Sequence, residues 1–171
     1  MTLSQATTKS EEIVAALKPY CHRIEVAGSV RRKKMEDIKD IEICAIPNNQ
    51  HLASIRELVN QKWGNPEIGA FPSKYTKVRG SVAIDFFWLT KENWGLQFFI
   101  RTGPAEFVKR ALAYWKEHTG GYSEGGILHN DAGSIVPTLE EEDVFKALEV
   151  AGGKPCPFIA PEKRLAIKSH A

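Results

Sequence analysis

Three acidic side chains and one small turn are the residues of this chain whose types and spacing could do chemistry. Gly28-Ser29-Val30-Arg31-Arg32 is followed, after a basic stretch, by Asp40-Ile41-Glu42. Side chains two apart on an extended strand share a face, so Asp40 and Glu42 would present paired carboxylates on one side of a sheet. Like charges held close raise each other's pKa unless a cation compensates them. Magnesium, which prefers carboxylate and phosphate oxygens, is the natural one. Asp85 stands inside the apolar run Val82-Ala83-Ile84-Asp85-Phe86-Phe87-Trp88 and needs a partner there. If its strand lies beside that of Asp40 and Glu42, three carboxylates can hold two divalent ions about 3.5–4 Å apart. One would activate a hydroxyl nucleophile and the other grip a triphosphate, as in-line phosphoryl transfer requires. A glycine lets the backbone approach a phosphate closely, and the turn's amides, the Ser29 hydroxyl and Arg32 are donors to anionic oxygens. Each part alone has a plain structural explanation, a turn or a solvated strand edge; their order and spacing carry the inference.

The elements that must position these groups can be read from periodicity. Thr8 and Glu11 fit a capping box ahead of the helical stripe Ile13, Val14, Ala16, Leu17 and Tyr20, which Pro19 interrupts. Alternation over 23–27 and 40–46, ended by Gly28-Ser29 and by Pro47, predicts two strands joined by a basic loop. Leu52, Ile55, Leu58 and Val59 predict a helix over 51–62 that stops at Gly64-Asn65-Pro66. A hairpin follows, 75–78 and 82–89 turning at Gly80-Ser81, and the apolar segment 95–100 reads as one more strand. Pro104 suits the first position of a helix carrying Phe107, Val108, Ala111, Leu112 and Trp115 and ending at Gly120. Residues 122–136 suggest a small hairpin around Asp131-Ala132-Gly133, and Thr138 with Glu141 would cap a last helix bearing Val144, Phe145 and Leu148. The fold class expected is α+β: a mixed sheet backed by helices over residues 1–101, then a small α/β lobe over 102–171.

Gly28-Ser29, Arg32, Asp40-x-Glu42 and Asp85 resemble the signature of the polymerase β-type nucleotidyltransferase superfamily. Four later segments resemble the C-terminal lobe of family X DNA polymerases. They are Thr102-Gly103-Pro104, Tyr122-Ser123-Glu124-Gly125-Gly126-Ile127, Glu141-Glu142-Asp143-Val144-Phe145-Lys146-Ala147-Leu148 and Ile159-Ala160-Pro161-Glu162-Lys163-Arg164. The similarity spans nearly the whole chain and is to the short viral members, which keep a palm and a C-terminal lobe and lack the lyase and helix-hairpin-helix regions of longer ones. It implies a palm over 1–101, a thumb-like lobe over 102–171, and transfer of a nucleoside monophosphate from a dNTP to a primer 3′-hydroxyl, with gap filling in DNA repair as the setting. By position, Gly28, Ser29, Arg32, Thr102 and Gly103 would bind the nucleotide. Asp40 and Glu42 would bridge two Mg2+ ions, and Asp85 would hold the catalytic one. Arg31, Lys33, Lys34, Arg101 and Lys109 would face a gapped or primer-template DNA, and Val108, Lys109 and Leu112 match positions near the nascent base pair.

The chain departs from the family at four places. Glu42 stands where a second aspartate is usual, and the additional methylene must be absorbed around an ion that demands near-octahedral geometry, so slower or Mn2+-favoured catalysis is expected. Ile100-Arg101 replaces a Tyr-Phe pair, which leaves discrimination between ribose and deoxyribose open; Val108 replaces an asparagine that reads the minor-groove edge and Ala83 an arginine near Asp85, and modest fidelity is expected.

Composition limits the alternatives. Hydrophobic residues make up 43% and charged ones 26% of 171 residues, and no stretch approaches the roughly 18 apolar residues of a membrane span. Neither an export nor an organelle signal is visible at the start, so a cytoplasmic, monomeric protein is expected. Cys21, Cys44 and Cys156 have no C-x-x-C spacing, against a disulfide framework or a zinc site, and the five histidines show no ligand spacing. Twenty-three basic residues are nearly cancelled by twenty-one acidic ones, but Arg23, Arg31, Arg32, Lys33, Lys34 and Lys39 crowd one segment, and Lys154, Lys163, Arg164 and Lys168 mark the tail. The tryptophans and paired phenylalanines are expected in the core rather than as base-stacking platforms. Two rivals use the same residues: an enzyme that adenylylates a small molecule or a protein, and a non-catalytic nucleic-acid binding module whose basic loop grips phosphates.

Overall fold

The alternating segments around the acidic residues form β1 (Cys21–Val26), β2 (Ile41–Pro47), β4 (Tyr75–Arg79) and β5 (Ala83–Trp88), with a short β3 (Pro66–Ile68) that periodicity does not reveal. The computed structural model describes residues 1–68 and 74–164, so Lys168 and His170 lie outside the described residues. The chain divides into two compact units, Met1–Leu89 and Thr90–Ala171, the first ending at Leu89 rather than at residue 101.

In the first unit the strands form one sheet in the order β1-β2-β5-β4-β3. β2 and β5 run parallel and the other neighbours antiparallel, so the sheet is mixed. Alternation divides its two faces. Ile24, Ile41, Ile43, Ala45, Val78, Ile84, Phe86 and Trp88 turn to one side, where they are buried with Ile13 and Leu17 of α1 (Leu3–Leu17) and Ile55 and Val59 of α3 (Leu52–Lys62). Burial of that many aliphatic and aromatic side chains is the term that holds the sheet to its helices. The Trp88 indole, inside this layer, donates from Nε1 to Thr76 Oγ1 at 2.9 Å and so carries its one polar atom satisfied.

Helix α1 starts earlier than Thr8 and Glu11 suggest. Its capping box is Thr2 with Gln5, the Thr2 hydroxyl accepting from the Gln5 amide at 3.3 Å and the Gln5 carbonyl oxygen from the Thr2 amide at 3.0 Å. The physical reason is that residues 3–10 are helix-competent once Ala6 is buried. The early turns of α1 pack Ala6 with Val30 and Ile38, and the Leu3 amide donates to Met35 O at 2.9 Å. This ties down the basic loop between β1 and β2. The Gly28-Ser29 turn is a one-turn helix, α2 (Gly28–Arg31).

In the second unit α5 (Ala105–Thr119) matches the expected helix, with Pro104 as its N-cap and Gly120 its left-handed C-cap. Residues 95–100 are not a strand: they lie in helix α4 (Trp94–Thr102). A continuous apolar run is consistent with a buried helix as well as a buried strand, and here Trp94, Leu96, Phe98 and Phe99 are buried while Gln97 and Arg101, four residues apart, share the half-buried side. The hairpin region is a three-stranded sheet, β6 (Tyr122–Glu124), β7 (Ile127–His129) and β8 (Ile135–Val136), turning at Gly125-Gly126 and at 131–133. The last helix, α6 (Glu141–Gly152), is capped by Glu140 with Asp143 instead of Thr138 with Glu141, because both of the latter are buried. Leu96, Phe99, Val108, Trp115, Leu128, Val144, Phe145 and Leu148 make this unit's core. No helix among the described residues is long and apolar enough to cross a membrane.

Candidate active site

The face of the first sheet opposite α1 and α3 gathers the charged residues. Parallel pairing of β2 with β5 sets Glu42 directly beside Asp85, and Asp40, two residues before Glu42, falls on the same face. Asp40 and Asp85 lie close enough for a carboxyl-to-carboxylate hydrogen bond. The Ala27 amide donates to Glu42 O at 2.8 Å, and this brings α2 alongside the carboxylates. Gly28 has φ +60, and a Cβ there would sit 1.3 Å from Glu42 Oε2, so the Glu42 carboxylate lies directly on the glycine. It also accepts from the Ser29 amide and faces Arg32, whose Nη2 donates to Ser29 Oγ at 3.2 Å. The turn that could cradle a phosphate therefore already holds an anion from its own sheet.

Electrostatics follows from this crowding. Burial first, and then the Asp40 and Asp85 charges, push the Glu42 carboxyl up to about 7, against the opposing pull of Arg32. The Asp40 carboxyl is raised as well, by burial and then by its contact with Asp85. Burial lowers the Arg32 guanidinium despite the nearby Glu42. Among the described residues no three His, Cys, Asp or Glu side chains form a ready metal cage. The reason is visible in Glu42, whose longer side chain reaches back to α2. The donor chemistry still suits a hard divalent cation: all-oxygen donors on three side chains, with two carboxyls raised by burial and by neighbouring carboxylates.

Two residues that sequence reasoning missed complete the cluster. Arg79 Nη2 lies 2.9 Å from Asp85 Oδ1 and 4.0 Å from Asp40 Oδ2, and the Tyr75 hydroxyl donates to Asp85 Oδ1 at 3.1 Å. Their signal is the alternation Tyr75, Lys77, Arg79, which the antiparallel register of β4 with β5 turns to the face of Asp85.

The other expected site residues are distributed as follows. Arg31 is half-buried in α2, while Lys33 and Lys34 are exposed in the loop after it, Lys34 Nζ donating to Asp37 O at 3.2 Å. Thr102, Gly103, Arg101 and Lys109 belong to the second unit. Thr102 is buried at the end of α4, and Gly103 caps that helix with φ 64, its amide donating to Ile100 O at 3.2 Å. Arg101 is half-buried; Lys109 is exposed on α5 and paired with Glu106 at 3.5 Å. Val108 is buried in the second unit's core, so its side chain is occupied by packing. Compared with models of known protein families and with curated proteins, the chain matches none.

Proposed function

We propose that this chain is a nucleotidyltransferase of the polymerase β type, a minimal family X-like DNA polymerase that adds a dNMP to a primer 3′-hydroxyl, with gap filling as its task. The observation that carries the reading is the register of β2 with β5, which sets Glu42 beside Asp85 on the face that also bears Asp40, with the Gly28-Ser29 turn against them. Three carboxylates gathered on one face against a glycine turn and an arginine, two of them with raised pKa, are the kind of cluster that functional sites hold.

In this reading the hydroxyl oxygen attacks the α-phosphorus, the bond from that phosphorus to the β-bridging oxygen breaks, and pyrophosphate leaves. The Ser29 amide, the Ser29 hydroxyl and Arg32 hold phosphate oxygens in the place the Glu42 carboxylate takes in the free protein. The Asp85 carboxylate, held at Oδ1 by Tyr75 and Arg79, receives the hydroxyl proton. Asp40, Glu42 and Asp85 are the residues that would hold two Mg2+ or Mn2+ ions, which supply charge neutralisation and activate the nucleophile. Gly103 would border the sugar, and the exposed Lys33, Lys34 and Lys109 would neutralise DNA phosphates.

The assay is extension of a gapped duplex, an open primer-template and a single strand, each with deoxy- and ribonucleotides and with Mg2+ or Mn2+. Insertion on the gapped duplex that is lost in Asp85→Asn is expected. No extension of any nucleic acid, together with nucleotide transfer to a small molecule or protein, would replace this reading with that of an adenylylating enzyme. DNA binding without any transfer would leave a non-catalytic module.

A further inference from the structure

Asp85 is gripped before any ligand arrives. Arg79 lies on β4 opposite Ala83, two residues before Asp85 on the same face. A methyl group there leaves the path open for a long side chain to reach across the strand. The guanidinium is pinned at its other end, Nη1 donating to Val78 O at 2.9 Å and to Ile84 O at 3.2 Å. A fork held by two backbone carbonyls has little freedom left, so the direction of Nη2 is set by the two strands. That nitrogen meets Asp85 Oδ1 at 2.9 Å, and the Tyr75 hydroxyl meets the same oxygen at 3.1 Å. Tyr75 is itself fixed, its ring stacked on Phe87 with centroids 5.2 Å apart. Asp40 Oδ2 stands 4.0 Å from Arg79, at the edge of direct pairing.

We propose that Arg79 and Tyr75 are positioning residues that clamp Asp85 by Oδ1, Arg79 also serving as a resident cation that holds Asp40 and Asp85 together when no divalent ion is bound. The inference rests on the nucleotidyltransferase reading and names residues of that site which the motif does not contain. It makes a distinctive demand. A charge that holds Asp85 in line for the chemistry also repels a dication bound to the same carboxylate, so the clamp lowers metal affinity while raising the rate. A residue that merely supports the fold would move both in one direction.

The test measures Mn2+ binding to the full chain without nucleotide by electron paramagnetic resonance, beside single-nucleotide insertion at saturating Mn2+. Arg79→Gln is expected to bind Mn2+ about 3–10-fold more tightly, because one opposing charge is gone. Its kcat should fall about tenfold or more, because Asp85 is no longer oriented. Arg79→Lys keeps the charge and loses the fork, so its Mn2+ affinity should return to about the wild-type value while kcat stays low. Tyr75→Phe removes one hydroxyl and should lower kcat with little change in affinity. Affinity and rate falling together in Arg79→Gln, or neither moving, overturns the clamp; should Arg79→Gln fail to fold, Arg79→Lys with unchanged kcat does the same. Wild-type protein that binds Mn2+ but extends no primer overturns the polymerase reading alone, because the order of Mn2+ affinities is read without nucleotide.

Discussion

At the scale of single residues, Glu42 decides most. Its carboxylate lies on Gly28 and takes the Ser29 amide, so a triphosphate entering that turn has to displace it. Glu42→Asp shortens the side chain by one methylene and withdraws it from α2 without removing its charge. On the proposed nucleotidyltransferase reading, insertion on gapped DNA in Mg2+ should then be equal to wild type or higher, with a smaller advantage for Mn2+, and complete loss in a folded variant would remove Glu42 from the proposed ligand set. The raised carboxyl also makes stability depend on pH. A folded-state value of about 7 against the ordinary 4.5 means that the folded protein holds the proton more tightly than the unfolded chain. Stability is therefore greatest below about 4.5 as far as this group is concerned, falls as pH rises towards 7 and is level above it, with a total change of at most about 3 kcal/mol. Asp40, raised likewise, adds in the same direction. Melting curves in EDTA between pH 5 and 8 should show this decline in wild type and a flatter profile in Glu42→Gln; equal slopes would mean that Glu42 is not crowded by Asp40 and Asp85 as described. The motif Asp40-x-Glu42 was legible in the sequence, but the direction of the Glu42 side chain was not. It depends on a φ of +60 at Gly28 and on an amide from α2, neither of which strand periodicity contains.

At the scale of elements, legibility follows one-sided burial. β1, β4, α3 and α5 each bury one face, and alternation or a helical stripe displayed that face in the residue pattern, whereas β2 and β5, in the middle of the sheet, also bury Cys44, Asp85 and Phe87 on the other side and showed as apolar runs carrying an acidic residue. Helix α4 buries Trp94, Gly95, Leu96, Phe98 and Phe99, and its half-buried side is only Gln97, Ile100 and Arg101, so within 95–100 a single polar side chain interrupted the apolar run and it imitated a strand. The short β3 was hidden for the opposite reason, since three residues starting at a proline carry too little pattern to read. The helical assignment of α4 has a sharp consequence at Gly95. A Cβ there would meet Thr138 O at 2.2 Å and Glu140 O at 2.3 Å, backbone atoms at the entry to α6 that cannot turn aside like a side chain. Alanine in place of a helix-interior glycine is worth about 1 kcal/mol in propensity. Overpacking against backbone costs about 1–3 kcal/mol and should win, because the contact involves two carbonyls at once. Gly95→Ala is thus expected to unfold at lower denaturant concentration than wild type, and a gain in stability would show that α4 does not lie against residues 138–140.

At the scale of the whole molecule, the chemistry-bearing residues Gly28, Ser29, Arg32, Asp40, Glu42 and Asp85 all fall in the first unit, whereas the second is held together by an interaction the sequence did not announce. Arg164 read as one more basic residue of the tail. Its guanidinium is fully buried, paired with Glu141 at the start of α6 and donating from Nε to Ile159 O at 2.8 Å. The rings of Phe99, Phe107, Phe145 and Phe158 surround it, with centroids 5.2 to 5.9 Å from Cζ. Charge and aromatic faces are complementary here, but removing two ions from water is costly, and the pair persists because each ion is the other's compensation. Glu141→Gln leaves the arginine buried without its counter-charge and should cost about 3–5 kcal/mol, read as a shift in the denaturation midpoint. Arg164→Lys should fail to restore the wild-type midpoint, since an ammonium cannot span Glu141 and the Ile159 carbonyl while stacking on the rings. The double variant Arg164→Met with Glu141→Leu removes both charges and keeps most of the volume, and it should recover much of the loss of either single charge removal. If Glu141→Gln alone is as stable as wild type, the ion pair is not buried, and the phenylalanines must close the core without it.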